Sequence, residues 1–223
     1  MYVVIINYPK PIIKLIKIKI SWYSNCIMGG GLLPVAIKNN KPYFLFGLEN
    51  ELDDTPGWAD FGGGNEAGES TLDTAIREGG EEINGFLGIG DKLRKRVKKN
   101  KIATVSFKTY STYIFMIDYD DNLPIYYKNN YEFFSRYLPH VKHKKDNGLL
   151  EKAKIRWFSF EDLKKEKKEF RNFYQNIVDL IIKQEREITS NVHSKYKQQT
   201  AKTTCHKEKT NKTRKNKRKK SNK

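Results

Sequence analysis

Cysteine is nearly missing from this chain of 223 residues: only Cys26 and Cys205 occur. Two cysteines so far apart, one of them in a polar tail, exclude a disulfide framework and a cysteine-rich zinc site, and they point to a reducing compartment. Long hydrophobic runs are missing too. The apolar start, MYVVIINYPKPIIKLIKIKI, is broken by Pro9, Pro11 and four lysines, short of the about 20 apolar residues a membrane helix requires. Its positive charges follow the apolar run, the reverse of a secretory signal. The cytoplasm is therefore the expected location, with no membrane partner.

Negative charge is scarce. Against 43 Lys and Arg stand 26 Asp and Glu, a formal net charge of +17. The excess is uneven: Lys195–Lys223 holds thirteen basic residues and one acid, +12, so the other 194 residues carry only +5 of the total. A segment that basic and poor in apolar residues cannot offset its ordering entropy by burial, so residues 191–223 are expected to form a disordered basic tail. Such a polycation attracts nucleic-acid phosphates or keeps the protein soluble, and Arg214–Lys220 is a candidate nuclear-targeting run.

What is present suits one folded domain, expected over 29–190, with 1–28 as an N-terminal extension. Hydrophobic residues make up 38% and aromatics 13%. Residues 12–20 alternate apolar residues with lysine, as a half-exposed strand does. GLLPVAI and PYFLFGL, joined by KNNK, predict a hairpin over 32–48. A helix is predicted from Ser70 to about Ile83, strands over 102–107 and 110–118, and a short helix in NNYEFFSRYL. A strand in KIRWFSF and a last amphipathic helix over about 168–187 follow. The irregular alternation predicts an α/β (α+β) fold, a mixed sheet sandwiched between helices, not a doubly wound one.

The chemistry concentrates in FGGGNEAGESTLDTAIREGGEEINGFL, residues 61–87. Ser70 and Asp73 form a capping box that starts the helix. Leu72, Ala75, Ile76, Gly79 and Ile83 form its buried stripe. Glu78, Glu81 and Glu82, related as i, i+3 and i+4, lie on another arc, where like charges repel. A hard divalent cation, Mg²⁺ or Mn²⁺, would reverse that balance, because it takes oxygen ligands. Gly62–Gly64 just before the helix would let backbone approach metal and phosphate. A solvated acidic helix face is the plainer reading of the glutamates alone.

The spacing resembles the Nudix box: Gly63, five residues, Glu69, seven residues, Arg77-Glu78, then Glu81-Glu82. Gly79 stands where the pattern has an aliphatic residue, and Asn84-Gly85 shifts its final glycine by one. The resemblance covers about residues 30–185 and implies a metal-dependent hydrolase of diphosphate linkages with a Nudix-type sheet. It implies Glu78 and Glu82 as principal ligands and Glu81 as a further ligand or the base that activates water. Gly63, Glu69 and Arg77 would position the loop, and Glu151 is a possible second base. The box phrase is similar to Nudix proteins of large DNA viruses, which include decapping enzymes, and the wealth of Ile, Lys, Asn, Tyr and Phe fits an AT-rich genome.

The box leaves the substrate open. Basic clusters at Lys92–Lys101, with Arg94, Arg96, Lys98 and Lys99, and at Lys142–Lys145 favour a polyanion, or else are solvated loops. Capped RNA, cleaved to release methylated guanosine diphosphate, is the first expectation, with Trp58 or Tyr113 as stacking candidates. A diphosphoinositol polyphosphate and a dinucleotide or nucleotide sugar are the other enzymatic readings. The non-enzymatic one is an RNA-binding module on a Nudix fold. Oligomeric state has no signature in the sequence.

Overall fold

The computed structural model describes residues 28–50, 55–142 and 150–201. The polypeptide enters on β1 (Gly29–Lys38) and reverses into β2 (Lys41–Glu49). Asn39 and Asn40 make the turn with φ of 49° and 62°, the left-handed values that two-residue hairpins need and that asparagine tolerates. β3 (Trp58–Ala59) and β4 (Phe61–Gly64) lead into α1 (Thr71–Glu82) and α2 (Gly90–Asn100). β5 (Lys101–Phe107) and β6 (Tyr110–Met116) form a second hairpin, followed by α3 (Leu123–Tyr137) and α4 (Pro139–Lys142). β7 (Lys152–Phe158), α5 (Phe160–Glu166), a 3₁₀ turn (Lys167–Glu169) and α6 (Gln175–Lys183) follow, and a last helix, α7, spans 185–201.

Among the described residues seven strands make one mixed sheet, ordered β3-β2-β1-β6-β5, with β4 also on β1 and β7 also on β2. β1 runs parallel to β6 and antiparallel to its other partners. Both faces are covered, which explains why β1 and β2 read as unbroken apolar runs. Leu32, Ala36 and Leu45 point to a core shared with α1, α2 and α3. Leu33, Val35, Phe44 and Phe46 point to the other, shared with α5, α6 and α7. The expected mixed sheet between helical layers is the architecture found, and among the described residues no helix is long and apolar enough to cross a membrane.

Several elements differ from expectation. The basic run after α1 is itself a helix, α2, which buries only Leu93 and Val97; two apolar positions in eleven left little periodicity to read. α3 starts six residues earlier than expected, at Leu123 with Pro124 in its first turn, a position proline favours. The single closing helix is broken at Phe170, whose extended backbone bridges to Trp58, and turns again at Gln184. The domain does not end at 190, nor does the tail begin at 191. Ile188 and Val192, one helical turn apart, are fully buried, and the side chains of Asn191, His193 and Lys195 bond the carbonyls of Ile102, Asn40 and Lys99. The strand expected over 12–20 and the cationic end beyond 201 lie outside the described residues.

Candidate active site

A glycine seam sets the geometry. β1 and β4 pair with Gly29 opposite Gly64, Gly30 opposite Gly63 and Gly31 opposite Gly62. A Cβ on Gly30 would sit 1.9 Å from the Thr71 carbonyl oxygen, so the bare backbone lets the start of α1 rest directly on the sheet. A Cβ on Gly63 would meet the Glu78 carboxyl at 2.6 Å. The seam thus holds the carboxylate of Glu78 against strand backbone. The sequence signals only half of it, since Gly29 and Gly30 precede any recognisable motif.

α1 is built as expected at both ends. Ser70 and Asp73 cap each other's backbone N–H groups, and Asn84 and Gly85, with φ of 50° and 71°, turn the chain out of the helix. Gly79 lies on Leu32, where a Cβ would come within 2.7 Å, so the departure from an aliphatic residue closes the helix onto the sheet. Ala75, Ile76, Gly79 and Ile83 are buried, and Leu72 is half-buried.

Arg77 ties the loop to the helix. Its Nε and Nη2 donate to the two carboxylate oxygens of Glu69 at 2.9 and 3.0 Å, and Nη2 also donates to the Gly64 carbonyl. Glu69 further accepts from the Thr74 hydroxyl and the Glu66 N–H. Those bonds, Arg77 first, hold the Glu69 carboxyl at about 2. Arg77 Nη1 donates to Glu78 at 2.7 Å and lies 3.7 Å from Glu81.

The three helix glutamates do not share one environment. Glu81 is half-exposed, and burial and the nearby Glu78 raise its pKa. Glu82 is buried: its Oε2 accepts the Gly62 N–H at 2.7 Å and its Oε1 lies 3.0 Å from the Lys152 ammonium. Burial pushes Glu82 well up, Lys152 opposes, and Glu49 adds to the rise. Lys152 is fully enclosed, bonded to Glu49 as well as Glu82, and Glu49 in turn accepts from Arg171 at 2.6 Å. Burial alone would lower the lysine, but the two carboxylates outweigh it and hold the ammonium charged, at about 12. A buried cation under the acidic helix has no signal in sequence, where Lys152 stands two residues before the expected strand KIRWFSF.

Glu151, just before β7, joins the group. Burial raises its pKa, and Glu78, Glu49 and Glu81 add to the effect against Lys152. Its carbonyl accepts the Asn50 N–H at 2.8 Å. Counting the connected set, seven carboxylates (Glu49, Glu66, Glu69, Glu78, Glu81, Glu82 and Glu151) stand against three cations (Arg77, Lys152 and Arg171). Among the described residues this set carries four more formal negative charges than positive ones, and every donor atom is a carboxylate oxygen, the donor type that suits a hard divalent cation. Yet among the described residues no three acidic, histidine or cysteine side chains stand close enough together to hold one ion. Arg77 draws Glu78 aside, while Gly62 and Lys152 draw Glu82 inward, so the expected trio of ligands is not assembled side by side.

A second buried network lies behind the seam. Asp60 accepts from Tyr110 and Thr112 hydroxyls at 2.8 and 2.7 Å, and Thr112 pairs with Tyr174 at 3.3 Å. Burial raises Asp60 to about 6 despite those bonds. The remaining candidates fall elsewhere. Trp58 is core, packed on Phe158 with centroids 5.0 Å apart, so it offers no face for stacking. Tyr113 is half-buried, its hydroxyl 2.8 Å from that of Thr71. Arg94 pairs with Asp73 and Arg96 donates to the Leu87 carbonyl, whereas Lys92, Lys95, Lys98 and Lys99 are exposed. The side chains of residues 141–149 lie outside the described set.

No family profile and no curated protein matches the chain. Solved structures do. A MutT protein from Methanosarcina mazei Go1 matches at 16% identity and a TM-score of 0.42, over 71% of this chain and 94% of its own. A C. elegans Ap4A hydrolase matches at 17% and 0.41, over 74% and 96%. A Nudix hydrolase from Nitrosomonas europaea matches at 15% and 0.40, over 74% of each chain.

Proposed function

We propose that this protein is a Nudix-type hydrolase that cleaves a diphosphate linkage with Mg²⁺ or Mn²⁺, and that its substrate is capped RNA. The observation that carries the reading is the lock between Arg77 and Glu69, which holds the glycine strand to α1 and sets Glu78 against Gly63. Around that lock sits the excess of negative charge described above. Glu78, Glu81 and Glu82 would hold the metal. Each Glu82 oxygen has one contact here and keeps a second lone pair, so its bonds to Gly62 and Lys152 do not disqualify it as a ligand. When bound, the metal would neutralise phosphate oxygens and lower the pKa of the attacking water.

Within the chain, Arg77 and Glu69 keep the seam in place, and Lys152 fixes the Glu82 carboxylate from beneath. The proton of the water goes to Glu81, the half-exposed carboxylate of the three, with Glu151 as the second candidate. Exposed lysines on α2 and the cationic run beyond 201 favour a long polyanion over a small nucleotide. The test is a panel of cap-labelled RNA, a diphosphoinositol polyphosphate and a dinucleoside polyphosphate, each with protein and Mg²⁺ or Mn²⁺. Release of methylated guanosine diphosphate from RNA alone is the expected result. Turnover of another member reassigns the substrate, and tight RNA binding with no turnover of any leaves a binding module.

A further inference from the structure

Among the described residues Lys152 is the only buried lysine, and its side chain has no exposed surface. Burying an ammonium is unfavourable unless its surroundings are arranged for it, and three parts of the fold are. Gly47, on β2, makes room for the stem: a Cβ there would come within 2.7 Å of Lys152 Cγ and 2.9 Å of Cδ. The ammonium ends between two buried carboxylates, bonded to Glu49 and 3.0 Å from Glu82 Oε1. Tyr127, also fully buried, donates to the Glu82 carbonyl at 2.7 Å and lies 3.3 Å from the Lys152 carbonyl, which ties the end of α1 to β7.

An ammonium set among carboxylate oxygens does electrostatically what a metal ion does, since it holds together like charges that would otherwise part. Arg77 meets Glu78 at 2.7 Å from a partly exposed position on α1. Lys152 has no such outlet to water. A divalent ion approaching Glu82 therefore meets a carboxylate whose inner oxygen already has a fixed cation beside it, and repulsion between cations that close is strong in a protein interior.

We infer that Lys152 is a resident counter-cation, which takes the place of a divalent ion on the inner side of Glu82 and holds down the metal affinity of this site. It keeps Glu49 and Glu82 together without metal, and leaves to metal the outer side of the group. Lys152 acts through Glu82 and is a positioning residue. The inference rests on the metal-dependent reading above for its consequence, but its test is binding and not turnover.

Titration of the full-length protein with Mn²⁺ alone, followed by calorimetry and by electron paramagnetic resonance, tests it. Lys152→Met combined with Glu49→Gln removes the buried pair as a pair and leaves the formal charge of the acidic group unchanged. Replacing both partners of a buried ion pair is tolerated where removing one is not, and the new amide oxygen can still accept from Arg171. This double variant should bind Mn²⁺ about tenfold or more tighter than the unaltered protein, or take up one ion more. Lys152→Met alone should show the same gain, and Mn²⁺ should raise its melting temperature further than that of the unaltered protein. Lys154→Met removes an exposed cation that lies over Trp58 and should change affinity by less than about twofold. Melting curves identify a variant that has failed to fold, and the other Lys152 variant then decides. Equal or weaker Mn²⁺ binding by a folded Lys152 variant overturns the inference, as does an equal gain from Lys154→Met or the absence of binding throughout. The expected gain in binding, without turnover of any diphosphate by the unaltered protein, would instead sink the hydrolase reading and leave the counter-cation standing.

Discussion

A few side chains carry charge where water cannot reach, and there the consequences are sharpest. Lys152 neutralises Glu49 and Glu82 from a fully enclosed position. Removing one partner of a buried pair leaves the other charge uncompensated, a penalty of about 3–5 kcal/mol. Lys152→Met should therefore lower unfolding free energy by about that amount in urea titrations, and a double variant with Glu82→Gln should recover part of it. Asp60 gives a pH signature. Its carboxyl titrates near 6 in the fold against 3.8 when free, so the folded state holds the proton more tightly. Its contribution is then fully present below pH 4, is lost as pH rises through about 6, and amounts to about 3 kcal/mol. Asp60→Asn, whose amide does not titrate, should lack this falling limb; a limb that persists in the variant would assign it to another group. For catalysis, Glu81→Gln should remove turnover while leaving the melting temperature unchanged, and retained turnover would pass the base role to Glu151.

At the scale of the element, the glycine seam separates packing from chemistry. Gly30 faces backbone of α1, which cannot yield without moving the helix, whereas Gly63 faces the end of a side chain. Gly30→Ala should cost about 1–3 kcal/mol. Gly63→Ala should leave stability nearly unchanged and displace Glu78, so that turnover falls and melting does not. Equal loss of stability in both would show that Glu78 has no room to move. The helix itself was legible because three local signals agreed: the Ser70–Asp73 box at its start, the apolar stripe through Ile83, and Asn84-Gly85 at its end. α2 was not, because its apolar face is two residues wide.

Across the described residues, both faces of the sheet are covered and α7 belongs to the fold. Truncation after residue 201 should leave melting unchanged and flatten the salt dependence of RNA binding, because eleven basic residues leave with the segment and each phosphate contact contributes to that slope. An unchanged slope would place the RNA elsewhere. Truncation after 190 removes the fully buried Val192 and should lower the melting temperature as well. The tail boundary was misplaced in sequence because Lys195 and Lys197 colour the segment as polar, while among its described residues Val192 alone is buried.

What the sequence determined by itself was local: the capped acidic helix and the glycine-rich segment before it, which was expected as a loop and is the strand β4. Only the tertiary structure decided which charges meet. Lys152 is 70 residues from Glu82 and 103 from Glu49, and a lysine in a strand carries no mark of what will be folded over it. Helical and strand periods constrain neighbours a few residues apart, but burial of a charge is set by whichever distant elements close around it.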